Sequence, residues 1–511
     1  MSGLAIGSRD RLQGQTYTIG VGGNYSNLPD ALNGTRSLTT TLVASFTGSG
    51  TLDTHVITRA SGDSIAAYIG QLVGVRIDNA TLAAPIVLGW VETATQIRLP
   101  YVLPATYTSK IIDVYLITPV NLTLLPGHRE LIAADLAIDA SFITFSALVP
   151  RTASVEISSS QYNLIFGAND NHLHFRGLRF IGDLEEALIA GAIFQGPGSS
   201  NPLIYLGDMS FYDCECYGGH VDFMAATANF ASPSLKFKNC YLMGFYDILN
   251  LAMQRDFQMK DSTLLALSTG GFDGAARAIT FALTGTSPAY SDQHYTIENN
   301  LIVAKNSFAG AVTACVHFAD PLDSSAVVKV KSNTLRAAVT TGNLSAYGLY
   351  VSSTGTNTPT IQFEDNTCAI TKSGTGVAYF AKSDNANYVI RERNNRAING
   401  NVPTWGTNVV EAEYQTVAYA AAITPDLVLG DNITIGTLTG NLTVNAPLNP
   451  IKGAELFLNY TADATPGRTI TYDAVFKSSA VPASTASAKA SHHFVYDGTN
   501  WVQTGGALLW L

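Results

Sequence analysis

The 511-residue chain has little charge. Asp, Glu, Lys and Arg make up 13% of it, about half the ~25% of an ordinary soluble domain. Gly, Thr, Ser, Asn and Ala fill the gap, and a hydrophobic content of 46% excludes a disordered chain. The net charge of −10 argues against a general nucleic-acid or anionic-membrane surface, which needs cations to neutralise phosphates; local basic patches stay open. The five cysteines are odd in number and scattered, which argues against a disulfide framework. Cys214 and Cys216 form C-x-C beside His220, but no second Cys/His pair completes a metal site, so they read as small buried hydrophobes. A basic start followed by an apolar run is missing at the N-terminus, so no Sec-type signal is read, and no uninterrupted stretch of about 20 apolar residues suggests a membrane span. The serines lack a G-x-S-x-G setting, and Gly22-Gly23 lacks the Lys and Ser/Thr of a phosphate loop. No cofactor or metal is expected.

What remains is β-structure built from small polar and apolar residues. Residues 1–39 read as an attachment segment, then a strand, Gly22-Gly23, and a capping helix. Ser26-Asn27 offer the cap and Pro29 suits the first turn. Residues 40–118 alternate apolar and polar, as in PIVLGWVETATQIRLP, and read as a β-rich insertion. Residues 119–400 are repetitive. The apolar residues Phe175, Phe211, Phe237, Met259, Ile297, Val330, Phe363 and Ile390 each precede a polar corner, at steps of 36, 26, 22, 38, 33, 33 and 27 residues. Such a unit is too small to bury its own apolar face, but stacked at ~4.8 Å it builds a continuous core. The corners hold Asn239, Asn299-Asn300, Asn333, Asn366 and Asn394-Asn395; Asn tolerates left-handed backbone and caps backbone groups. A hairpin sandwich is the competing reading, but the two-residue Asp-Gly and Asn-Gly turns it favours are rare between 170 and 395. The expected fold is therefore all-β: a parallel β-helix, a linker at 401–424, and a C-terminal antiparallel β-sandwich at 425–511. The sandwich would end in the hairpin FVYDGTNW and an apolar LLWL tail.

Gly22, Gly23, Tyr25, Leu28 and Ala31 spell Gly-Gly-x-Tyr-x-x-Leu-x-x-Ala. With the coil-forming repeats and the terminal hairpin, this resembles a bacteriophage tailspike or tail-fibre protein with a pectate-lyase-like right-handed β-helix. The resemblance implies a homotrimer on a virion, assembled in the bacterial cytoplasm. It would hold other tail or baseplate proteins through its N-terminus and meet host surface polysaccharide, without membrane insertion. It carries over no catalytic residue, because the clustered Asp/Arg or Gln/Asp motifs of the lyases and esterases of this fold are not intact here.

Three functions stay open: glycan binding, polysaccharide cleavage, and a purely structural fibre. Cleavage needs two carboxylates about 5–9 Å apart. Asp213 and Glu215 are the expected pair, on one side of a strand, with Asp222 beyond. Tyr205, Tyr212, Tyr217, His220, Tyr246, Asp247, Arg255 and Asp256 would line a glycan groove around them. The bland alternative is a solvated ladder of mixed charge. A second cluster, Phe272, Asp273, Arg277, Tyr290, Asp292 and His294, sits on the longest spacing between coils, and His172 and His174 share a strand face. At the C-terminus Phe494 and Tyr496 share one hairpin face opposite Trp501. These three, with Trp510, are the expected assembly residues.

Overall fold

The computed structural model describes residues 15–35, 38–51, 54–78, 86–99, 106–138, 141–158, 164–165, 172–182, 194–195, 208–217, 224–225, 234–244, 247–251, 256–268, 276–281, 293–307, 312–319, 321–322, 324, 326–342, 344–353, 355–398, 404–411, 414–427, 430–448, 450, 453–478, 483–504 and 510. Nearly all of the regular structure is β-strand, with a single α-helix, Leu28–Thr35, among the described residues. Two compact units form: residues 1–389 with 395–408, and residues 390–394 with 409–511.

The first unit is built on three long parallel sheets. In each, a strand pairs with the strand three further along the chain, except that Gln15–Ile19 pairs with Val120–Leu124 across the intervening barrel strands. The first sheet contributes ten strands to this unit, from Gln15–Ile19 to Thr360–Glu364. The second runs from Leu136–Ala137 to Ala378–Ser383, and the third from Arg129–Ile132 to Arg396–Ala397. The repeat read from the sequence is the register of the first sheet: Phe175, Phe211, Phe237, Met259, Ile297, Val330 and Phe363 are successive partners in one column. All are buried. The column begins as a stack of rings, with Phe145–Phe175, Phe175–Phe211 and Phe211–Phe237 centroids 5.0, 4.7 and 4.9 Å apart and nearly parallel. Stacking like on like in this way puts each side chain over its own kind and leaves no step in the core.

The corner between the first and third sheets repeats a two-residue device. Asp213, Asn239, Asp261, Asn299, Ser332 and Asp365 all have φ between 52° and 56° or, for Asn299, 58°. This left-handed bend turns the next residue inward: Cys214, Cys240, Ser262, Asn300, Asn333 and Asn366 are all buried. The last three are joined by hydrogen bonds. Asn300 donates its backbone N–H and its Nδ2 to Asn333 Oδ1 (2.9 and 3.0 Å), Asn333 does the same to Asn366 (3.0 and 3.1 Å), and Asn366 to Asn395 (2.9 and 3.0 Å). Each Nδ2 also donates to a main-chain carbonyl. The buried polar groups of the turn are thus satisfied coil to coil.

The helix has the N-terminus expected for it. Asn27 Oδ1 accepts from Asp30 N at 2.8 Å, and Asn27 Nδ2 donates to Asp30 Oδ2. Buried Glu130 adds a long-range cap, accepting from Leu28 N (2.7 Å) and lying 3.0 Å from His128 Nε2. Leu28 and Leu32 line a small apolar cavity with Leu124, Leu136, Ile138 and Phe145, so the helix covers the start of the sheet core.

Residues 40–117 form a closed antiparallel barrel. Its strands, in spatial order, are Thr40–Gly50, Val56–Gly62, Gln96–Arg98, Val87–Thr93, Leu72–Asp78 and Tyr107–Ile117. Ala44, Phe46, Val73, Val75, Val91, Ile97, Ile112 and Val114 fill it. The strands on either side of the barrel in sequence, Gln15–Ile19 and Val120–Leu124, pair with each other directly.

The second unit departs from the antiparallel sandwich expected at 425–511. Its strands Tyr414–Val417, Asn432–Ile435 and Glu455–Thr461 pair in parallel in a six-stranded sheet. The strands that follow each of them, Ala422–Ile423, Leu442–Val444 and Ile470–Tyr472, pair in parallel in a three-stranded one. The chain alternates between the sheets, so each return runs the same way. Apolar alternation is the same in parallel and antiparallel strands and could not tell them apart. Two of these strands, Tyr414–Val417 and Ala422–Ile423, and Val409–Glu411 fall within 401–424, so that segment is not simply a linker. Only the end is antiparallel: Lys489–Tyr496 pairs with Glu455–Thr461 and with Trp501–Gln503. Its turn holds four residues, not two. Asp497 N donates to Asn500 O, and Asp497 Oδ1 accepts from Thr499 N and Asn500 N, both at 2.7 Å.

Candidate functional site

The described members of the expected groove divide among all three sheets and a corner. Asp213 does not share a strand with Glu215; it is the left-handed corner residue, and Asn239 Nδ2 donates to its carboxylate. Glu215 begins a third-sheet strand and lies between Arg179 Nε (3.0 Å) and Arg151 Nη1 (3.3 Å). Tyr217 OH donates to it at 3.5 Å, and the Tyr217 and Tyr241 rings are 5.6 Å apart. Two guanidinium groups on one carboxylate make a structural ion pair, not a free acid or base. Tyr212 and Asp256 belong to the first sheet: Tyr212 lies under the Arg176 guanidinium (5.6 Å) and Asp256 beside Lys236 (3.5 Å). Asp247 starts a second-sheet strand. Tyr205, His220, Asp222, Tyr246 and Arg255 lie outside the described residues, as do Phe272, Asp273, Tyr290 and Asp292. Arg277 is on the second sheet and His294 on the first. His174 Nδ1 is 2.6 Å from Ser210 Oγ, and burial pushes its pKa down to about 4.

Cys214 and Cys240 occupy the corner positions taken further along by the asparagines, and their thiols donate to strand carbonyls at 3.3–3.5 Å. Burial holds the Cys214 thiol protonated, well above its ordinary range. Among the described residues no group of three His, Cys, Asp or Glu side chains is placed to hold a metal.

The residues the fold does bring together are on the second sheet, and sequence reasoning missed them. In five successive strands one residue drops out of the pairing: Ile248, Ala278, Cys315, Gly348 and Phe380. Alternation breaks there. Two neighbours turn inward together, and the residues flanking them both face out. In Ala346–Val351 this puts Tyr347 and Tyr350 on one face with ring centroids 4.3 Å apart. Gly348 permits it, because a Cβ there would sit 2.5 Å from Phe380 O. Register adds Tyr379 beside Tyr347 (5.3 Å, 6° between planes) and His317 beside Tyr350 (5.1 Å, 7°). The result is a near-parallel stack of four rings across three strands.

Lys382 and Asp384 close one end. Lys382 Nζ lies 6.0 and 5.6 Å from the Tyr350 and Tyr379 centroids and 2.7 Å from Asp384 Oδ1. Tyr350 OH donates to Asp384 Oδ2 at 2.5 Å. Burial and then the Asp384 carboxylate push the Tyr350 hydroxyl pKa up. Burial, the largest single influence, would lower Lys382 and raise Asp384; their hydrogen bond, their mutual attraction and the neighbouring tyrosines together outweigh it, so the ammonium is raised and the carboxyl lowered. His317 Nε2 meets Ser352 Oγ at 2.9 Å, while its Nδ1 finds no partner among the described residues. Burial pulls this imidazole down to about 3. Because the ring faces are spent on one another, the stack offers a ligand its edges and hydroxyls, with a fixed ammonium and carboxylate beside them. A signal for it was present: AYGLYV and AYFAKS place outward residues three apart, not two.

No protein-family model matches this chain, and no curated protein matches it.

Proposed function

We propose that the chain is a right-handed parallel β-helix of the phage tailspike or tail-fibre kind, which binds a glycan of the host surface. The observation that carries this reading is the stack of Tyr347, Tyr350 and Tyr379 beside the Lys382–Asp384 pair, on a parallel sheet stiffened by stacked coils. A preorganised row of hydroxyls and a fixed charge pair suits a polyhydroxylated polymer, whose repeats need contacts at regular spacing more than one deep pocket. The three-strand period and the capping helix support the β-helix and its tailspike likeness. A trimer on a virion, joined to tail proteins through the N-terminal segment, completes the proposal.

The test is binding to purified surface polysaccharide and to cells of candidate hosts, with Tyr347→Ala and Tyr379→Ala as variants. Saturable binding that both variants weaken supports the site. Binding to no glycan and no cell would leave a structural fibre. Release of oligosaccharides would replace binding with cleavage; no described pair of carboxylates favours that reading.

A further inference from the structure

On the outward face of the first sheet three lysines are each met by an acid one coil on: Lys236 by Asp256 (3.5 Å), Lys260 by Glu298 (2.9 Å), and Lys331 by Glu364 (3.8 Å), with the corner residue Asp365 at 3.6 Å. Exposed Lys329 has no acidic partner among the described residues and stands alone, in register with Gln362. On the third sheet Arg129 is met in this way by Glu156, and Arg179 by Glu215. Around Tyr212 two cations go without such a partner. Register places Arg176, Tyr212 and Lys238 in one column on three successive strands. Arg176 and Lys238 are exposed, and neither has an acidic partner among the described residues; Arg176 lies instead over the Tyr212 ring. The two cations are two strand spacings apart, about 10 Å. Lys236 is two residues from Lys238 on the same strand and so faces the same way. The nearby acids are engaged: Asp256 with Lys236, and the corner residue Asp213 with Asn239. The neighbouring His174 registers the field, since Arg176 and Lys236 add to the burial that lowers its pKa.

We propose that Arg176, Lys236 and Lys238, grouped round the Tyr212 ring, form a binding site for an acidic polysaccharide whose sugar carboxylates they neutralise. In a chain of net charge −10, two exposed cations without acidic partners here stand on the strands either side of one aromatic ring. An anion there would gain charge-assisted hydrogen bonds from Arg176 and the lysines. The sugar ring beside it would pack on the free edge of Tyr212. The site is on a different sheet from the tyrosine stack and does not depend on it.

The experiment measures affinity of the full chain for alginate, a polyuronate, for neutral dextran, and for inorganic polyphosphate, at low and at physiological salt. The Arg176→Gln/Lys238→Gln double variant is compared with Lys305→Gln/Arg336→Gln, which removes two exposed third-sheet cations. Alginate binding that weakens with salt, falls at least tenfold in the first variant and holds in the second is the expected result. Equal losses in both double variants, no alginate binding at low salt, dextran bound as well as alginate, or polyphosphate bound more tightly than alginate would each overturn the proposal. All four positions are at the surface of their sheets, so a circular-dichroism melt matching the parent confirms that the folds compared are the same.

Discussion

Replacing Asn333 with Ala should show how much of the first unit depends on its corner asparagines. Asn333 is buried and makes four side-chain hydrogen bonds. Its Oδ1 accepts from Asn300 N and Nδ2, and its Nδ2 donates to Ile297 O (2.8 Å) and Asn366 Oδ1. After truncation, Asn300 N–H has lost the acceptor it had in the corner. Asn300 Nδ2 keeps its bond to Met259 O, and Asn366 Oδ1 keeps the Asn333 main-chain donor. One orphaned donor costs ~1–3 kcal/mol and each weakened group a fraction of that, so the expected loss is about 4 kcal/mol. Stacked coils need not unfold in one step. The readout is therefore native-state amide exchange at Asn300, with guanidinium unfolding alongside. Asn395→Ala is the comparison: it is only partly buried and ends the described run, so its loss should be smaller. If Asn333→Ala costs less than about 1 kcal/mol, or leaves exchange at Asn300 unchanged, the corner bonds are not the support argued for them.

Gly348→Ala should disturb the tyrosine stack first, since its Cβ meets Phe380 O; glycan affinity should drop several-fold with little change in melting temperature, and unchanged affinity would count against the site. Trp501→Ala should cost the second unit about 3–5 kcal/mol. Trp501 is 1% exposed and packs on Tyr496 and Phe476; a thermal melt in which this variant matches the parent would contradict that burial. His174 and His317, at about 4 and 3, lie below the ordinary histidine value of 6.5. Their neutral forms stabilise the fold fully above about pH 6.5, and that contribution is lost as pH falls towards 4 and then 3. Unfolding midpoints should fall by an amount worth a few kcal/mol across that window, and less in His174→Gln; a flat profile would refute the burial argument.

Much of the fold was legible because register is written in the inward residues. The phenylalanines and their aliphatic successors repeat at coil length, and the structure stacks them in one column. The corner asparagines were legible too, although they divide into two kinds: Asn239 and Asn299 supply the left-handed bend, whereas Asn300, Asn333 and Asn366 supply the internal hydrogen bonds. The site was not legible for a physical reason. Strict alternation assigns Asp213 and Glu215 to one face, but a corner lies between them. It likewise hides the shared face of Tyr347 and Tyr350, which exists only because the strand bends at Gly348. The terminal hairpin shows the same limit. Phe494 and Trp501 were expected to meet neighbouring copies, yet both are buried in the core of their own unit, and Trp510 packs against that core. Tyr496 is the only one of the expected assembly residues on the hairpin that is left half-exposed.

The barrel's attachment has a consequence of its own. The chain leaves the first sheet after Ile19, and Thr40 and Ile117, where the barrel starts and ends, are paired neighbours; Thr118 N also donates to Thr39 O. Entry and exit are one rung apart, so the 78 residues between behave as a cassette plugged into a single seam. The two strands flanking the seam are already bonded to each other, and a different module with closely spaced ends could take the barrel's place without moving a coil. A lineage of such chains would be free to exchange that module while keeping the stacked sheets, and a short Gly-Ser bridge in its stead should still yield a folded first unit.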